Sequence, residues 1–336
     1  MFPYEIKPVD GKDAEFIKEH FKGKVTDLVS VGPKKWMLPV KYEKHADKYY
    51  NFDLRSDDVW IVTYMKSGTT LTQELVWMIT NNLDYEKSSK IPLLERCPFL
   101  DFNILWNDEY KAYLAELNGN DPKVCEELKD IDVPCYETAE KMISPRVFKT
   151  HLSPSLLPPS LIETCKVIYV ARNPLDVAVS YYHHCKLVTS YGYQSDFKTF
   201  WQFFEKDLLM YSPYWEHIKE GWANKHHPNF LFLFYEDLVR DMPGNIRKVA
   251  KFLNKEMTHD DVIRLADHLH VDNFRKNVTV ANVWKTVSGI LDPEAQGFIR
   301  RGKVGGNKEV DDEIKLMAEK WFKENLAKTD IKFPEF

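Results

Sequence analysis

The chain has 336 residues, 44% of them hydrophobic and 29% charged, the composition of a globular protein and not of a disordered one. Its 46 Lys and Arg against 51 Asp and Glu leave a net charge of −5, which gives no electrostatic ground for a nucleic-acid or anionic-membrane partner. An anionic ligand then has to be held by a local cluster of cations.

Five cysteines, Cys97, Cys125, Cys135, Cys165 and Cys185, are odd in number and form no C-x-x-C pair, which argues against a disulfide framework or a zinc site and for a reducing compartment. The first residues, MFPYEIKPVDGKDAEF, carry charges and no apolar stretch, unlike a signal peptide. The longest apolar run, Phe230 to Tyr235, is too short to span a bilayer. These features together predict a cytoplasmic protein, in which Asn277-Val278-Thr279 is a chance glycosylation sequon.

Four short runs rich in β-branched and aromatic residues read as buried strands: Val59–Tyr64, Arg146–Thr150, Lys166–Val170 and Asn229–Tyr235. Helical patterns follow most of them. Thr69–Thr80 starts directly after the first strand's loop, and Asp176–Leu187 follows Pro174, a residue suited to a helix start. Gly244–Leu253 comes later, then a helix opened by Thr258-His259-Asp260-Asp261, a capping-box pattern. A last helix carries Ile314, Met317, Ala318 and Trp321 on one face. Alternating strands and helices predict an α/β fold with a central, mostly parallel sheet covered by helices. One domain is expected over residues 1–336. The stretch from about 105 to 134 is polar and acidic and breaks the rhythm; it reads either as a lid or as a solvated excursion.

The most informative segment is Val62-Thr63-Tyr64-Met65-Lys66-Ser67-Gly68-Thr69-Thr70-Leu71. A buried strand, a tight loop and a helix start present free N–H groups where aligned peptide dipoles favour an anion. Gly68 permits close backbone approach, Ser67, Thr69 and Thr70 add hydroxyls, and Lys66 adds a full charge. The nucleotide-kinase P-loop differs, because there the lysine follows the second glycine, whereas Lys66 precedes Gly68.

The segment resembles the 5′-phosphosulfate loop of the cytosolic sulfotransferases, T-Y-P-K-S-G-T-T-W, with Met65 for the proline and Leu71 for the tryptophan. Arg172-Asn173-Pro174 through Ser180-Tyr181-Tyr182-His183 is similar to the family's 3′-phosphate element, R-N-P-x-D-V-A-V-S-Y-Y-H. Arg300-Arg301-Gly302-Lys303-Val304-Gly305-Gly306-Asn307-Lys308 is similar to R-K-G-x-x-G-D-W-K. Lys149-Thr150-His151-Leu152-Ser153 matches the start of K-T-H-L-P-x-x-L-L-P, with Ser153 for the first proline.

The resemblance implies a P-loop-kinase-like sulfotransferase fold. It also implies transfer of a sulfuryl group from 3′-phosphoadenosine 5′-phosphosulfate (PAPS) to the hydroxyl of a small apolar acceptor, leaving adenosine 3′,5′-bisphosphate (PAP). Lys66, Ser67, Gly68, Thr69 and Thr70 would hold the phosphosulfate. Arg172, Ser180, Arg300, Arg301 and Gly302 would hold the 3′-phosphate, with Tyr235 also at the nucleotide. His151 would be the general base, with Lys66 and Lys149 stabilising charge on the sulfuryl and bridging oxygens and no metal required. Phe99, Phe102, Trp106, Tyr181 and His184, together with Tyr182 and Trp284, are candidates for an apolar acceptor pocket.

A phenol, a steroid-like alcohol and a terpenoid alcohol all stay open as acceptors. The long insert is most similar in layout to insect members that dehydrate retinol through a transient sulfate ester. A nucleotide kinase with a degenerate P-loop and a catalytically inactive nucleotide-binding protein are the rival classes. A homodimer stays open, because the family's dimer signature K-x-x-x-T-V-x-x-x-E is not recognisable around Lys308–Glu313.

Overall fold

Strands that are apolar on both faces have to be covered on both faces, and the computed structural model shows how. It describes residues 1–281, 287–299, 302, 304–305 and 307–334. The four expected strands are β4 (Val59–Thr63), β5 (Val147–Thr150), β6 (Lys166–Ala171) and β7 (Phe230–Phe234), hydrogen-bonded in the order β5-β4-β6-β7. Every pairing in this sheet is parallel, with Val62 opposite Thr150, Thr63 opposite Val170 and Ala171 opposite Phe234.

Alternation along β4 divides the core. Trp60 and Val62 join one apolar cluster, with Phe148, Val167 and Tyr169. Val59 and Ile61 join the other, with Val147, Ile168 and Val170. The Thr69–Thr80 helix lies in the second layer and is buried over nearly its whole length. The next crossover helix spans Pro174–Leu187 and lies in the first layer. It starts two residues earlier than the apolar pattern predicts, because Asn173 caps it, accepting from the N–H of Leu175 at 3.0 Å and of Asp176 at 3.5 Å. The capping box expected at Thr258 is present, with Asp261 returning a bond to the Thr258 N–H. The last helix, Asp312–Leu326, buries Ile314, Ala318 and Trp321.

Two features depart from the sequence reading. Ahead of the parallel sheet stands an antiparallel one, β1 (Ile6–Pro8), β2 (Leu28–Val31) and β3 (Trp36–Pro39), in the order β1-β2-β3. The acidic stretch is also largely helical, with helices Asp108–Leu117 and Pro122–Asp132. They place Tyr110, Leu114 and Leu128 in the first apolar cluster. It is packed structure with a polar outer face.

Because β4 to β7 are parallel, their carboxyl ends share one edge. His151, the Lys66 loop, Arg172 and Tyr235 each follow directly on one of those ends.

Candidate active site at the carboxyl edge of the sheet

The loop after β4 makes a sharp turn. Lys66 has φ 66° and Gly68 φ 106°, both in the left-handed region, and Gly68 is the N-cap of the Thr69–Thr80 helix. A Cβ on Gly68 would lie 2.4 Å from Cδ2 of Tyr235, so the position admits no side chain. The Ser67 Oγ is buried without a hydrogen-bond partner among the described residues, which is costly unless a ligand satisfies it. Thr69 Oγ1 lies 2.6 Å from Thr63 Oγ1, tying the helix start to the strand end.

Arg172 reaches across to this loop. Its Nη1 donates to the Lys66 carbonyl at 3.3 Å, and its guanidinium lies 4.3 Å from the Tyr235 ring centroid. Asp176, one turn along the next helix, lies 3.7 Å from Arg172 Nη2. The same carboxylate accepts the Gly305 N–H at 3.0 Å and the Asn307 side-chain amide at 2.7 Å. The third basic element is thereby tied to the second. Gly302 lines the cavity described below, whereas Arg300 and Arg301 lie outside the described residues, as does Trp284.

His151 follows β5 and is 5% exposed. Its Nδ1 lies 2.8 Å from the Thr63 carbonyl oxygen and 3.1 Å from Thr63 Oγ1. Since a carbonyl only accepts, Nδ1 carries the proton and Nε2 keeps its lone pair. Burial, then the charge of Lys149, holds this imidazole well below the usual histidine range. The Lys149 ammonium sits 4.0 Å from the Phe99 ring centroid, and burial pulls its pKa down to about 8. Lys66 Nζ sits over the Phe298 ring at 4.7 Å.

Residues that no motif announced hold His151 in place. Asp101, fully buried, accepts from Thr150 Oγ1 at 2.6 Å, Tyr211 Oη at 2.7 Å and the His151 N–H at 3.4 Å. Burial pushes its carboxyl up to about 6 despite those bonds. On the other side His217 Nε2 donates to the His151 carbonyl at 3.0 Å, and Tyr169 Oη lies 2.6 Å from His217 Nδ1.

Most of the motif residues open on one cavity of about 390 Å³. Lys66, Gly68, Thr69, Thr70, Lys149, His151, Arg172, Ser180, Tyr235 and Gly302 line it; Ser67, wholly buried, does not. Leu71, Val239, Met242 and Phe274 furnish an apolar wall flanking the loop helix. From His151 a run of rings leads away: Phe99 at 5.1 Å, Phe102 5.6 Å from Phe99, Trp106 5.7 Å further and Tyr110 5.6 Å beyond that. Phe99, Phe102, Trp106 and His184 line the cavity, and Tyr110, Tyr191 and Ile290 join them.

Tyr181 does not belong to this pocket. Ser180 and His184, four apart, face the cavity. Tyr181 is rotated about 100° from Ser180 around the helix, is 1% exposed and donates to the Met210 carbonyl at 3.3 Å. Among the described residues no cluster of three or more His, Cys, Asp or Glu stands where it could hold a metal ion. No described helix is long and apolar enough to cross a membrane.

A strand-end histidine, a helix N-terminus with a lysine and a second cationic strand end, on one edge of a parallel sheet, define a group-transfer site for an anionic nucleotide. The chain matches the sulfotransferase domain over residues 56–330 and belongs to the sulfotransferase family; it is a PAPS-dependent sulfotransferase. It is 30% identical to luciferin sulfotransferase of Photinus pyralis, over 96% of this chain and 87% of that one. It is 33% identical to sulfotransferase 1E1 of Homo sapiens, over 79% and 81%. Among solved structures, retinol dehydratase in a complex with retinol and PAP matches with a TM-score of 0.92 at 37% identity over 99% of each chain. The complex of that enzyme with androsterone and PAP gives 0.92 and 36% over the same shares.

Proposed function

We propose that the chain sulfonates the hydroxyl of a small, largely apolar molecule, with His151 as general base. The observation that carries this reading is the Nδ1–H···O=C bond from His151 to Thr63, which leaves Nε2 as the basic nitrogen beside the cavity. PAPS supplies the sulfuryl group. The Lys66–Thr70 loop would hold the 5′-phosphosulfate, and Arg172, Ser180 and Gly302, with Arg300 and Arg301, the 3′-phosphate. Lys66 and Lys149 would stabilise charge gathering on the sulfuryl oxygens and on the oxygen of the departing phosphate. Proton removal, positioning and fixed charge then share the rate. The Asp108–Leu117 and Pro122–Asp132 helices would act as a lid within a single catalytic domain.

The test is turnover with labelled PAPS and a panel of phenols, steroid-like alcohols and terpenoid alcohols. His151→Ala should lower kcat by about 10²–10⁴ while binding PAP as tightly as the wild type. A variant that keeps more than about a tenth of the rate overturns the base assignment.

A second reading, elimination through a transient sulfate ester, is favoured by the likeness to retinol dehydratase over 99% of both chains. Product analysis separates the two. A stable sulfate ester supports transfer alone, and a dehydrated product with free sulfate supports elimination.

A further inference from the structure

His184 lies one turn beyond Ser180 on the Pro174–Leu187 helix, and both line the cavity. The rings of Tyr191 and Phe298 pack around its imidazole, with centroids at 5.7 and 6.1 Å. Its Nδ1 is buried and finds no hydrogen-bond partner among the described residues. A buried nitrogen in that state bears its desolvation cost uncompensated, so a mere packing role would be served better by an apolar ring. Burial, then the nearby Lys66 ammonium, keeps the imidazole neutral, with one donor and one acceptor nitrogen. Phe298 also carries the Lys66 ammonium at 4.7 Å, so this shared ring places His184 near the reacting end of the cavity.

The reacting hydroxyl cannot satisfy it. That hydroxyl has one proton, and His151 takes it. An N–H donated to the same oxygen would draw electron density from the atom that must attack sulfur. A second oxygen on the acceptor is the chemistry that fits. We infer that His184 is a specificity-determining residue, selecting acceptors that carry a second hydroxyl or carbonyl oxygen next to the reacting hydroxyl, as a catechol or vicinal diol does. The inference rests on the reading of His151 as the base that faces the acceptor.

The test compares 2,3-dihydroxynaphthalene with 2-naphthol, the same ring system with and without the second oxygen. Binding of each to the full-length, PAP-loaded protein is measured by calorimetry, so turnover is not needed. The wild type should prefer the diol by about tenfold or more, because an unmet polar group penalises the analogue that lacks its partner. In His184→Phe that preference should vanish, with PAP affinity retained as the check on folding. His184→Asn, shorter but still hydrogen-bonding, should show a reduced preference, and it carries the comparison if the phenylalanine variant does not fold. In ¹⁵N-histidine spectra, the His184 ring nitrogens should shift with the diol and not with the mono-ol.

Equal affinity for the two probes in the wild type overturns the inference, as does a preference unchanged in both variants. If His184→Phe weakens PAPS binding and leaves the diol preference intact, the imidazole serves the sulfuryl oxygens and the inference also falls. Failure of PAP or of both naphthols to bind the wild type is a different outcome, which counts against the proposed site itself.

Discussion

His151 Nδ1 and the Thr63 carbonyl oxygen lie 2.8 Å apart, a bond between the ends of two adjacent parallel strands, β5 and β4. It fixes the tautomer of the proposed base with a group that cannot titrate, where a carboxylate would have held the ring partly charged. The consequence is a pH profile. His151 has a pKa lowered well below 6.5, so it is neutral, and able to accept a proton, throughout the neutral range; it is lost as a base only as pH falls through its own low value. Lys149 has a pKa lowered to about 8, so it is cationic below that pH and loses its charge above it. The kcat/KM profile of the free enzyme should therefore show an acid limb below the ordinary histidine range and an alkaline limb near pH 8. Lys149→Arg should move the alkaline limb upward, since a guanidinium stays charged. An alkaline limb at the same place in that variant would show that another group sets it.

Gly68 is predicted to be irreplaceable for donor binding. Its φ of 106° strains any L side chain, and a Cβ there would meet the Tyr235 ring at 2.4 Å. Relief would require moving Tyr235, whose ring also carries the Arg172 guanidinium at 4.3 Å. Gly68→Ala should thus weaken PAP binding by more than about tenfold through two displaced contacts, each charged one worth about 1.5–3 kcal/mol. Unaltered PAP affinity in calorimetry would mean that the loop tolerates the shift.

The 3′-phosphate assignment makes a separate prediction. PAP should bind at least about tenfold more tightly than adenosine 5′-monophosphate, the loss expected from even one charged hydrogen bond. Arg172→Leu should erase most of that difference, affecting the monophosphate less. Equal affinities of the wild type for the two nucleotides would remove Arg172, Ser180 and Gly302 from the 3′-phosphate site.

The parts of this architecture that show in the sequence are those with a local signal. β4 to β7 are short runs rich in β-branched and aromatic residues, and the loops at their ends carry motif residues, so their convergence follows from parallel pairing alone. β1 to β3 are three or four residues long, with Pro8 and Pro39 at strand ends, and offer no periodicity to count. Asp101 and His217 reach His151 across 50 and 66 residues of chain, and nothing local marks either as its partner. Tyr181 is different: the helical phase that points Ser180 and His184 into the cavity already turns Tyr181 away. In the acidic stretch, Tyr110 and Leu114 stand four apart on one face, a legible apolar stripe outweighed by the charges around it.

Arg146 and Asp58 anchor the start of β5 and hence the placement of His151. The guanidinium bonds both carboxylate oxygens, at 2.7 and 2.5 Å, and donates to the carbonyls of Ala139 at 3.1 Å and Asp53 at 2.9 Å. Both side chains are almost wholly buried. Asp58→Ala leaves a buried cation without its counter-charge, and such losses cost about 3–5 kcal/mol. Denaturant melts should show that drop. The joint replacement Asp58→Leu with Arg146→Met should recover part of it, because it removes the uncompensated charge as well. A single variant as stable as the wild type would mean that the carbonyls alone satisfy Arg146.

The lid assignment yields the last prediction. Trp106, which precedes the Asp108–Leu117 helix, and Tyr110 within it line the cavity. Tyr110 Oη meets Thr189 Oγ1 at 2.8 Å, and Asn118 Nδ2 donates to the Ser288 carbonyl at 3.0 Å. At the end of the Pro122–Asp132 helix the Asp132 carboxylate is clasped by both Lys41 and Lys111. Lys41 also donates to the Trp106 carbonyl at 2.8 Å, so one cluster fastens both ends of the region. Cutting the region out is a poor test, because Leu114 at 0% and Leu128 at 3% exposure belong to the core, and their loss would unfold more than a lid. Asp132→Asn removes the charge that holds the two lysines and leaves the core untouched. If the helices close over the acceptor, this variant should raise KM for a large apolar acceptor several-fold and for a small phenol much less. Donor affinity should hold, since no contact to the Lys66 loop is changed. Higher salt should mimic the substitution in the wild type, because the cluster is only partly buried and open to screening. If KM is unchanged for both acceptor sizes, the two helices only wall the cavity and do not gate it.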